Sequence, residues 1–244
     1  MAVEKKEKSQ LHKVALKGKV IEDSRGIRKC IRVDLTSAEA ERKQFEYSIN
    51  TILFQRGVYP AEDFTPVKKY GLNMLVSSDD QVKAYIKKIM SQLNKWMVGG
   101  KISKLVVVIT SRETGEHVER WQFDVQLLGK FSKQRSSKKA VDKENAAPEE
   151  VAAEETEPEK TEAQIQEEIQ AIFRQITASV TFLPVLDGNC TFNVLVYADA
   201  DSDVPIEWGD SDAKEIKNAE KVQLRSFSTS NHKVDTMVSY RLAE

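Results

Sequence analysis

Apolar residues recur at helical spacing in three segments of the chain. Phe45, Ile49, Ile52 and Leu53 stand at i, i+4, i+7 and i+8. This stripe predicts a helix over about 37–56, with Thr36 as N-cap, Glu39 completing a capping box and Gly57 as the stop. Val82, Ile86, Ile89, Met90, Leu93 and Met97 predict a second helix over about 79–97, capped by Ser78 and Gln81 and ended by Gly99-Gly100. Ile165, Ile169, Ile172, Phe173 and Ile176 predict a third over about 162–179, with Thr161 and Gln164 as its capping box. Pro184 bars its continuation.

Other segments carry strand signals. Lys104–Thr110 (KLVVVIT) is a continuous apolar run, as expected of a strand covered on both faces. Trp121, Phe123 and Val125 alternate with polar residues, and so do Phe192, Val194 and Val196. Val222 and Leu224 predict a further strand. Val234, Val238, Tyr240 and Leu242 share one face of the last. Strand pairs separated by single helices predict an α+β fold, with helices packed on one face of a mainly antiparallel sheet.

Composition narrows the function. The 244 residues carry 37 Lys+Arg against 38 Asp+Glu, and this balance speaks against a dedicated nucleic-acid binder. No apolar run reaches 18 residues, and the first ten residues lack the apolar core of a secretory signal, so they read as a disordered tail. Two cysteines, Cys30 and Cys190, make no disulfide framework and fit a reducing compartment. Residues 130–143 hold six basic residues and 148–168 nine glutamates, and large apolar residues are almost absent between 132 and 164. A flexible charged loop over about 130–160 is expected. His12, His117 and His232 are scattered and neither cysteine stands at ligand spacing to them, so no metal site is expected. Gly99-Gly100-Lys101 fails the phosphate-loop spacing, and no nucleophile elbow or dinucleotide fingerprint occurs. No enzyme site and no cofactor is predicted.

Specific strings go further. Ile52–Pro60 (ILFQRGVYP), Lys69–Leu72 (KYGL), Lys104–Ile109 (KLVVVI), Glu119–Asp124 (ERWQFD), Arg174–Ala178 (RQITA), Thr181–Pro184 (TFLP) and Leu224–Phe227 (LRSF), ending in His232–Val234 (HKV), occur in this order. The series resembles the spindle-checkpoint branch of the HORMA family, from about Ser37 to Leu242. The resemblance implies a single HORMA domain over 11–242: three helices on one face of a mainly antiparallel sheet, with a mobile C-terminal safety belt over about 200–242. It implies a non-catalytic switch between open and closed forms. The closed form captures a partner peptide as an added strand and wraps it with the belt. Implied partners are the first mitotic-arrest-deficient protein, the cell-division-cycle activator of the anaphase-promoting complex, a Bub-related checkpoint kinase, a HORMA-remodelling AAA+ ATPase with its Comet adaptor, and a second copy of the chain. Capture of the activator would delay anaphase, with the protein in nucleus and cytoplasm and at kinetochores in mitosis. The alternative within the fold is a translesion-polymerase or meiotic-axis adaptor.

The resemblance also assigns residues. Arg174, Gln175, Phe182 and Arg225 match the open–closed dimer interface. Cys190, Phe192, Val194 and Val196 would form the strand that receives the peptide, and Val222, Leu224 and Val234 the belt. Trp96 is open between core and peptide contact. Leu16 would anchor an N-terminal switch strand within Leu11–Gly18, docking on the sheet edge that the belt takes in the closed form. Two features depart from the family. Residues 19–36 intervene before the first helix and read either as a small hairpin around Ser24-Arg25-Gly26 or as a gene-model addition. The charged loop is long and contains Lys143-Glu144-Asn145, which looks like a degradation signal read by the anaphase-promoting complex.

Overall fold

The computed structural model describes residues 11–16, 35–128, 161–229 and 232–242. The expected tail 1–10, most of the insert 19–36, the charged loop and Lys143-Glu144-Asn145 lie outside them. The described chain forms β1 (Leu11–Leu16), α1 (Leu35–Gln55), β2 (Phe64–Lys69), β3 (Leu72–Ser77), α2 (Asp80–Val98), β4 (Ile102–Ser111) and β5 (His117–Leu127). After the charged loop come α3 (Glu162–Ala178), β6 (Cys190–Asp199), β7 (Trp208–Asp210), β8 (Glu220–Gln223), β9 (Phe227–Ser228) and β10 (His232–Tyr240). The main sheet has the order β7-β1-β6-β4-β5-β10-β8, with β9 also on β10. Each of these pairings is antiparallel.

The three helical stripes meet one face of this sheet. Phe45, Ile49, Ile52 and Leu53 of α1 are fully buried, as are Ile172 and Ile176 of α3. They join Leu105, Val107 and Ile109 of β4, Trp121 and Phe123 of β5, Val194 and Val196 of β6, and Val234 and Val238 of β10 in one core. The opposite phase of β4 and β6 buries Val106, Val108, Leu195 and Tyr197 in a second, smaller cluster. The continuous KLVVVI run reflects this double covering.

Local chemistry explains the ends. Thr161 Oγ1 accepts from the Gln164 N–H at 3.3 Å and Gln164 Oε1 accepts from the Thr161 N–H at 2.9 Å, the expected reciprocal cap. The other two caps differ from expectation. Asp79, not Ser78, caps α2, and its carboxylate accepts from both the Gln81 and Val82 N–H groups. A charged acceptor at a helix N-terminus is favoured by the dipole as well as by the hydrogen bonds. Thr36 lies inside the first turn of α1, which begins at Leu35; the first turn carries no apolar period, so a stripe does not fix a helix start. Leu224 follows β8 rather than belonging to it, although its N–H still donates to the Thr236 carbonyl at 2.8 Å. Leu242 lies beyond β10 and is 55% exposed. The sequence pattern also passed over a separate hairpin, β2–β3. Tyr70 (φ 50°) and Gly71 (φ 67°) make its two-residue turn with both φ positive, which a glycine at the second position eases.

Candidate functional site

The site is built where the two chain ends meet the sheet. β6 is an interior strand. Its β4 side is paired from Cys190 to Ala198. Its other side receives β1, with Leu11 opposite Asp199, Val14 opposite Val196 and Ala15 opposite Leu195. β1 thus covers the C-terminal half of β6, and Cys190, Phe192 and Val194 lie beyond its last pair. Leu16 is placed differently from expectation. The C-terminal segment does take the β5 edge, where β10 pairs with β5 from Tyr240–Glu119 to His232–Leu127. The N-terminal strand, however, lies at the opposite edge, with Leu16 opposite Trp208 of β7. An isolated strand satisfies its main-chain groups at either edge, so its own sequence does not choose between them.

The chain between β6 and β8 forms a strap around β1. It first runs along the helical side of the sheet. Trp96 Nε1 donates to the Asp203 carbonyl at 3.0 Å and Lys101 Nζ to the Asp201 carbonyl at 3.1 Å. Lys88 reaches Glu207 at 3.6 Å, an exposed pair that contributes little. Trp208 is then buried edge-on against Trp96, centroids 5.1 Å apart. Residues 208–210, as β7, pair with the outer edge of β1. Next the strap crosses the second face, where Arg120 Nε donates to the Ala213 carbonyl at 3.4 Å. His117 is held below its ordinary pKa, mainly by burial and then by Lys214 in the same crossing. The strap ends at β8, on the far edge beyond β10. β1 is therefore held by main chain on both sides and encircled by covalent chain.

The residues assigned to the receiving strand and the belt differ in burial. Val194, Val196 and Val234 are fully buried, and Cys190 and Leu224 nearly so. Phe192 packs edge-on against Tyr85 at 5.4 Å and Tyr59 at 6.1 Å. Val222 is half-buried on β8. Trp96 is core, and its role is to seat the strap. Sequence reasoning missed Trp208 and β7: three residues are too few for a period. The available signal was a lone tryptophan two residues after Val204-Pro205-Ile206 in the acidic stretch Asp201–Asp210.

A second surface gathers the expected interface residues. Arg174 is exposed on α3 and donates to Gln170 Oε1 at 3.1 Å. Gln175 Oε1 accepts from the Arg225 N–H at 2.6 Å, which joins α3 to the segment after β8. Phe182, just past α3, is 41% exposed and leans on Tyr240. Buried charge fixes this loop. Arg56 donates to the Pro184 carbonyl and, at 2.8 Å, to Glu119, whose other oxygen accepts from the Trp121 indole. Burial pushes the Glu119 carboxyl up, against the opposing pull of Arg56 and Trp121. Among the described residues no group of three potential metal ligands gathers, and no helix is long and apolar enough to cross a membrane.

A sheet that encloses an added strand with its own C-terminal strap defines a class. The HORMA domain model matches residues 37–232, and the chain belongs to the HORMA domain family. The mitotic spindle checkpoint component mad2 of Schizosaccharomyces pombe is 54% identical over 198 residues, covering 81% of this chain and 88% of its own. The mitotic spindle assembly checkpoint protein MAD2A of Homo sapiens is 44% identical over 206 residues, covering 84% and 91%. A chain in the crystal structure of the mitotic checkpoint complex is 51% identical with TM-score 0.69, over 84% of this chain and 98% of that one. Caenorhabditis elegans HTP-1, solved bound to a HIM-3 closure motif, shares the fold with TM-score 0.61 at 13% identity, over 85% and 91%. Within the family this chain belongs with the mitotic spindle checkpoint MAD2 proteins.

Proposed function

We propose that this chain is a conformational switch of the spindle checkpoint that binds a partner peptide as an added strand beside β6 and locks it with the strap. One observation carries the reading: a strand remote in sequence from β6 is added to it and wrapped by residues 200–219. Main-chain pairing supplies affinity that is tolerant of sequence, and the enclosing strap supplies slow release. The arrangement described here corresponds to the closed form. The peptides proposed are those of the first mitotic-arrest-deficient protein and of the activator of the anaphase-promoting complex. Capture of the activator delays anaphase, in the nucleus, in the cytoplasm and at kinetochores. The surface of Arg174, Gln175, Phe182 and Arg225 is proposed to join an open to a closed copy. The kinase, and the remodelling ATPase with its adaptor, remain partners by resemblance.

The test is titration of the purified full chain with a labelled activator peptide, followed by ion exchange. Two slowly interconverting species are expected without peptide and one with it. A single species in both samples, with no change in peptide anisotropy, refutes the reading.

A further inference from the structure

We propose that Leu11–Leu16 is a built-in occupant of the peptide slot, so that this chain closes on its own N-terminal segment and a partner peptide must displace it. The inference rests on the peptide-capture reading and adds regulation to it. Three observations carry it. First, β1 is the strand inserted between β6 and β7, paired with β6 over five positions and with β7 over three. It therefore fills the place of an added strand rather than lying outside it. Second, it is enclosed by the strap that would enclose a captured peptide. Trp208, opposite Leu16, is the residue that seats the strap on Trp96. Third, the segment is joined to α1 only through residues 17–34, eighteen residues by position. A covalent connection of that length gives the segment a local concentration on the order of mM, which a free peptide must exceed.

The consequence is a slot filled in cis before any partner arrives. The apparent affinity for a partner is the intrinsic affinity multiplied by the fraction of molecules in which the slot is vacant. It also assigns a chemistry to the slot. An extended segment with the pattern Leu-His-Lys-Val-Ala-Leu is accepted there, antiparallel to β6.

The test uses the full chain, with a fluorescein-labelled synthetic peptide of residues 8–19 as probe. Val14 is paired on both sides, so Val14→Pro removes its ladder N–H and is expected to expel the segment. Probe binding should then become faster by on the order of tenfold or more. As a second arm, Leu11→Cys/Asp199→Cys, on a Cys30→Ser background, places a disulfide across the last β1–β6 pair. Oxidation should abolish probe binding and reduction should restore it, in one and the same folded chain. Equal probe binding by the unchanged chain, Val14→Pro and both redox forms overturns the proposal, because the probe then enters elsewhere. Failure of both Val14→Pro and the reduced chain to bind the probe also overturns it. A labelled activator peptide run in parallel separates the two readings. Capture of that peptide alone by Val14→Pro removes the built-in occupant and leaves peptide capture standing. Capture of the probe alone keeps the occupant and removes the activator as partner.

Discussion

At the scale of single residues, two buried contacts hold the site in shape. Trp208 ties the strap to α2 through Trp96 while its backbone meets Leu16. Trp208→Ala leaves a cavity there and is expected to cost about 3–5 kcal/mol, read by urea denaturation. Because the strap loses its seat, amide exchange at 208–210 should rise at urea concentrations that leave β4 and β5 protected. Arg56 and Glu119 form the second contact, almost fully buried. Glu119→Gln leaves the Arg56 guanidinium without a counter-charge and should cost roughly 3–5 kcal/mol by the same measurement. The same ion pair anchors the loop that carries Phe182, so this variant should also weaken self-association. Little of this was legible in the sequence. Arg56 and Glu119 lie 63 positions apart and no period connects them, while Trp208 stands in a segment without pattern.

At the scale of elements, periodicity was informative where one face is buried over several turns. The stripes of α2 and α3 and the alternation of β5 and β10 are visible in the chain and recur in the core. The edge to which β1 pairs was not, since LHKVAL is compatible with either. The β2–β3 hairpin escaped for a related reason: β2 is mostly exposed and shows no alternation. The proposed dimer surface on α3 gives a prediction at this scale. Arg174→Glu with Gln175→Ala should abolish self-association in light scattering. Arg174 is exposed and its replacement should change stability by less than about 0.5 kcal/mol. Gln175 accepts the Arg225 N–H, so its loss adds about 1 kcal/mol. A double variant that stays folded and still dimerises removes this surface from the assembly.

At the scale of the whole molecule, the fold is a sheet whose two edges are treated differently. One edge is closed by the chain's own C-terminal strands, β10 and β8, and the other holds an added strand. The strap connects the two and passes around that strand. Occupancy of one edge is thereby linked to where the C-terminus sits on the other. A peptide can enter or leave only by threading or by release of β8–β10 from β5. The most direct test fixes the strap. Gln126 of β5 and Lys233 of β10 are directly paired, and Gln126→Cys/Lys233→Cys joins the C-terminal segment to β5 by a disulfide on oxidation. The measurement is the dissociation rate of a labelled activator peptide loaded before oxidation, compared with the same sample after reduction. Enclosure by the strap predicts that the oxidised complex holds its peptide through the experiment and that reduction releases it. Equal dissociation in the two states would contradict enclosure.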